Sequence, residues 1–142
     1  MVFSLPSSIV PFVIKGFRVA LMNADAIPDL AFVFNGGAAV ALGNGFGGFA
    51  PATVVSGTSS VMGIAAGDGP GDGLADVVCG EVFSQPFPPF LSGTRVQIHP
   101  GNGIGGLGAP FYVTSGTAPF AVAVANFDGI GAQDIVVLHS SD

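Results

Sequence analysis

The chain has 142 residues, 49% of them apolar and only 8% charged, and nine acidic side chains against three basic ones give a net charge of −6. With Lys15, Arg18 and Arg95 as the only cations there is no basic stripe to neutralise phosphates, which excludes nucleic acid as a partner. The single Cys79 excludes an internal disulfide and a cysteine metal cluster, and Gly, Pro or Ser breaks every apolar run before the roughly 18 residues of a membrane helix, so no membrane span is expected.

Residues 1–16 form an N-terminal segment whose apolar start lacks the basic residues of a leader, so none is expected, and whose 9–14 stretch has the composition of an extra strand. Residues 17–59 hold four predicted strands, at 18–22, 30–34, 38–42 and 52–56. Residues 60–117 hold four more, at 62–66, 76–79, 94–99 and 111–115, with a Pro- and Phe-rich loop insertion over 81–93. Residues 118–142 hold two, at 121–125 and 134–139. No stretch has the 3.6-residue apolar stripe of an amphipathic helix, so the fold class is all-β.

The punctuation between these strands recurs. Gly43-Asn44-Gly45-Phe46-Gly47-Gly48-Phe49 returns 58 positions later as Gly101-Asn102-Gly103-Ile104-Gly105-Gly106-Leu107. The same shift carries Gly71, Gly73 and Asp76-Val77-Val78 onto Gly129, Gly131 and Asp134-Ile135-Val136. An earlier copy of the acidic segment places Asp29 where Asp76 and Asp134 stand, and without the insertion the period is about 47 residues, within the range of propeller blades. Four-stranded antiparallel meanders at this spacing predict β-propeller blades, which hide by stacking the apolar faces that one blade cannot bury alone. A β-sandwich is the alternative architecture, but it gives no reason for the echo.

Seven of the nine acidic residues fall in the three equivalent loops. The middle loop offers Asp68, Asp72 and Asp76, with Gly71 and Gly73 permitting the tight turns that point oxygens inward, and the Leu74 carbonyl is a further candidate ligand. The first loop offers Asn23, Asp25 and Asp29, and the third Asn126, Asp128 and Asp134. Each lacks one position of the full pattern, the middle loop having Pro70 and the third Ile130 where a ligand would stand. Calcium, which takes 6 to 8 oxygens, is the cofactor these side chains suit. The competing reading is that Asp, Asn and Gly here make ordinary turns through side-chain to backbone hydrogen bonds.

The string from Gly67 to Val78, and Asn126-Phe127-Asp128-Gly129 with Asp134-Ile135-Val136-Val137, resemble the acidic loops of the FG-GAP or VCBS family of propeller repeats, to which integrin α-subunit heads belong. Leu107-Gly108-Ala109-Pro110 and Phe49-Ala50-Pro51 are similar to the element that names the family. The resemblance implies an extracellular propeller with calcium in a loop joining two strands of a blade, serving adhesion, binding of protein or glycan ligands, or structural display. Two and a half blades are fewer than the four or more of a closed propeller, so the fold is expected to be incomplete in one chain and finished by further blades or self-association. Two alternatives are a subunit of an extracellular fibre, built from head-to-tail contacts that do not close, and a lectin-like propeller.

Nothing in the sequence favours an enzyme. His99 and His139 close strands without an acid-base partner at a telling spacing, and the Ser residues lie in turns without a nucleophile-elbow pattern. The glycines of 43–48 precede no helix and no Lys, as a phosphate loop would require.

Overall fold

Short runs of β-branched, aromatic and Ala residues, separated by Gly, Asn and Pro, form strands and no helix among the residues described by the computed structural model, which are 13–57, 60–84 and 91–140. The first four, β1 (Ile14–Ala20), β2 (Asp29–Phe34), β3 (Gly37–Ala41) and β4 (Thr53–Ser56), pair in that order as one antiparallel sheet. After β5 (Val61–Gly67) and β6 (Asp76–Glu81) comes a small hairpin of β7 (Phe83–Ser84) and β8 (Leu91–Ser92). The chain then returns as β9 (Arg95–His99) and β10 (Phe111–Thr114), and the second sheet runs β5-β6-β9-β10. β11 (Pro119–Ala125) and β12 (Asp134–His139) make a two-stranded third sheet.

The architecture is therefore all-β with antiparallel sheets of four, four and two strands, and none of them closes on itself. Among the described residues no helix is long and apolar enough to cross a membrane. The 81–93 segment, expected as a loop, differs in two respects: Glu81 ends β6, and β7 and β8 pair within the remainder. Residues 9–12 of the expected extra strand lie outside the described residues, while Ile14 opens β1.

Successive sheets pack face to face. Ala31, Val33, Ala38 and Val40 of the first meet Val61, Ile64, Val77 and Cys79 of the second. The second sheet's other face, with Ala65, Val78, Val96 and Ile98, meets Val122 and, at its margin, Val124, Ile135 and Val137 of the third. Neighbours along β6 thus point into opposite interfaces, which is why it reads as the unbroken run Asp76-Val77-Val78-Cys79 rather than an alternating strand. Burying each Val or Ile of this kind contributes about 1.5–3 kcal/mol.

The first strands lie closest together, β5 against β1 and β11 against β5. A bulge or register shift interrupts each of these three strands, between Ile14 and Gly16, Met62 and Ala65, and Pro119 and Ala121. Gly63, at φ +67°, sits so near the third sheet that a Cβ there would come within 2.8 Å of the Phe120 carbonyl oxygen.

The second sheet also carries a polar row facing the first. Arg95 donates two hydrogen bonds to the buried Glu81 carboxylate, at 2.6 and 2.7 Å, and lies 4.5 Å over the Tyr112 ring. Gln97 and His99 follow along β9, buried, with no hydrogen-bond partner among the described residues.

Candidate metal centre

The acidic loops join β1 to β2, β5 to β6, and β11 to β12, so all three leave their sheets at the same end. The two Gly-Asn-Gly turns, β3 to β4 and β9 to β10, share that end. They fold alike. Asn44 Oδ1 accepts from the N–H groups of Phe46 and Gly48, both at 2.9 Å, and Asn102 Oδ1 accepts from those of Ile104 and Gly106, at 3.1 and 2.8 Å.

The last Asp of each loop is an anchor. Asp29, fully buried, accepts from the Met22 N–H at 2.8 Å with one oxygen and from the Gly43 N–H at 2.9 Å with the other. Asp76, equally buried, does the same with Gly69 at 3.0 Å and Gly101 at 2.9 Å. The two signatures share one register because the carboxylate of one clamps the first glycine of the other. Asp134 accepts from Phe127 at 2.8 Å and Asp128 at 3.3 Å, closing its own loop only.

In the middle loop, with Gly71 at φ +81° and Gly73 at φ +85°, the chain curls around the Asp68 carboxylate. Asp68 Oδ1 accepts from the Gly71 and Asp72 N–H groups at 2.7 and 2.9 Å, and Oδ2 accepts from Gly73 at 2.8 Å. Asp72 Oδ1 accepts from Leu74 at 2.9 Å. Gln133 of the third loop accepts the Asp68 N–H at 2.8 Å, tying the two loops together.

Among the described residues, Asp68, Asp72 and Asp76 are the group of three whose ligand atoms converge, all within 4.8 Å of one another. That separation suits oxygens around one calcium ion at roughly 2.3–2.6 Å. Burial pushes the Asp76 carboxyl above its ordinary range; the hydrogen bonds from Gly101 and Gly69 pull it back, and the Asp72 and Asp68 carboxylates push it further up. A bound cation would relieve that repulsion. Leu74 lies in the same loop, its side chain over Gly103 and its N–H on Asp72.

In the other two loops the remaining candidates bind within their own loop. Asn23 Nδ2 donates to Asp25 Oδ2 at 3.0 Å, and Asp25 Oδ1 accepts from Ile27 at 2.8 Å. Asp128 Oδ1 accepts from Ile130 at 2.8 Å, and Asn126 Nδ2 donates to the Gly131 carbonyl at 3.5 Å. Of the ten candidate ligand residues, the structure brings together Asp68, Asp72 and Asp76, and uses Asp29 and Asp134 as anchors.

Compared with family models, curated proteins and solved structures, the chain shows no match.

Proposed function

We propose that the chain is a non-enzymatic, extracellular β-propeller module of the FG-GAP or VCBS kind, supported by calcium, that serves adhesion or structural assembly and is completed by further blades or by its own copies. The observation carrying this reading is the convergence of Asp68, Asp72 and Asp76 in a loop that joins the first two strands of the middle sheet. Its supports are the recurring loop positions in the sequence and the stacking of four-stranded antiparallel meanders through their first strands.

Calcium would be held by the three carboxylates, with backbone carbonyls and water completing its shell; bound there, it supplies charge neutralisation that locks the loop. Asp68 already spends both oxygens on backbone N–H groups, so it orders the loop whether or not a cation is present. Asp72 is exposed and engages one oxygen, which leaves the other open to a cation. Thermal melting with calcium and with chelator tests the reading, since a ligand bound to the native state alone must raise the melting temperature. An unchanged melting temperature at millimolar calcium would leave the loops as metal-free turns.

A further inference from the structure

Each sheet of this chain has two unlike faces, and the order in which they meet is fixed. The second sheet turns Ile64, Val77 and Cys79 toward the first sheet and Ala65 and Val78 toward the third. The third sheet repeats the first of these arrangements, turning Val122, Ile135 and Val137, the residues 58 positions after Ile64, Val77 and Cys79, back toward the second. Its other face has no sheet against it among the described residues. There Ala123 and Val136 occupy the positions of Ala65 and Val78, 58 residues earlier. Val78 is 0% exposed and Ala65 6%, whereas Val136 is 42% exposed, Ala123 is exposed, and Leu138 beside them is 57% exposed.

On the opposite face of the first sheet β1 alone is exposed. Aligning Asp29 with Asp76, and β1 with β5 through their pairings Ala20 to Asp29 and Gly67 to Asp76, places Phe17 at the position of Ile64. Ile64 is 1% exposed, packed against the preceding sheet; Phe17 is 59% exposed and Val19 63%. On the same face Leu30, Phe32 and Phe34 of β2 are buried, so the open part is confined to β1. That is the strand through which successive sheets make their closest approach inside the chain.

We infer that the chain binds a second copy of itself head to tail, Ala123, Val136 and Leu138 of one copy packing on Phe17 and Val19 of the next. The occupant follows from the internal packing. Each open face carries, at positions where its repeat counterparts are buried, apolar residues of the same kind, and the surface that covers those counterparts is the face presented by the other end of the molecule. The contact is heterologous, because the two patches differ, so assembly continues until a ring closes or a filament grows. This inference rests on the self-association part of the proposed function and is independent of calcium.

Mass in solution, by sedimentation or light scattering, tests it with two single variants, Phe17→Glu and Val136→Glu. The wild-type chain is expected to exceed its 14.0 kDa monomer mass as concentration rises, and each variant alone to remain monomeric at concentrations at least tenfold above the wild-type midpoint. Each variant keeps one intact patch of opposite kind, so an equimolar mixture is expected to form a 1:1 dimer and nothing larger. Val19→Glu and Leu138→Glu, at more exposed positions, form a second pair should circular dichroism show either first variant unfolded. A wild-type chain that stays monomeric overturns both the inference and the self-association behind it. A wild-type assembly that survives in the folded variants, or variants that fail to complement, overturns these surfaces and leaves self-association standing.

Discussion

Asp29 and Asp72 look alike in the sequence and do different work in the fold. Asp29 is buried and holds two backbone N–H groups from different loops, whereas Asp72 is exposed and binds one neighbour. Asp29→Ala is expected to cost about 3 kcal/mol in urea unfolding, equally with calcium and with chelator, because it strands one buried and one half-buried donor. Asp72→Ala is expected to change stability in chelator by less than about 1 kcal/mol and to abolish the calcium-dependent rise in melting temperature. His99 adds a pH dependence of its own. Burial lowers its pKa from 6.5 to about 4, so between those values the unfolded chain binds a proton that the folded chain refuses. Its contribution is full above pH 6.5 and falls as pH drops toward 4, at up to about 1.4 kcal/mol per pH unit. His99→Phe should flatten that part of the curve, measured as urea midpoints across the range. Cys79, pushed up to about 12 by burial and by the Glu81 carboxylate, should resist thiol reagents until the sheets separate.

At the level of the strands, β11 approaches the bulge in β5 closely. Gly63→Ala would ask an L side chain to hold φ +67° and to overlap the Phe120 carbonyl, and the expected loss is about 2–3 kcal/mol, read by urea unfolding. The strands themselves were legible from the sequence. All ten of the predicted runs in residues 17–142 coincide with observed strands to within a few residues, because Gly, Asn and Pro mark their ends so densely. The β7–β8 hairpin escaped notice since two-residue strands carry no periodicity. The anchoring role of Asp29 and Asp76 was hidden for another reason. Their partners are backbone N–H groups 14 and 25 residues away, and no residue type announces a backbone donor. Composition likewise gave no sign that Gln97 and His99 would end buried, since β9 alternates into an interface that only the first sheet creates.

For the molecule as a whole, stability is divided between two sheet interfaces and a set of loops at one end. Calcium at about a thousandfold excess over its Kd should add about 4 kcal/mol, on the order of 10 °C in Tm for a chain of this size, measured by calorimetry against chelator. That end is rigidly specified: the Asp76 clamp fixes the distance from the acidic loop to the Gly101 turn, as the Asp29 clamp does for Gly43. The opposite end differs in the length of its links. There β2 turns into β3 across Asn35 and Gly36 alone, while the corresponding link from β6 to β9 has grown by 11 residues and still delivers β9 to the same clamp. Length can therefore be added at that rim without disturbing the acidic loops, which makes the β6–β9 link the natural place to graft a foreign peptide, with native calcium response and unaltered melting as the sign that the graft was tolerated.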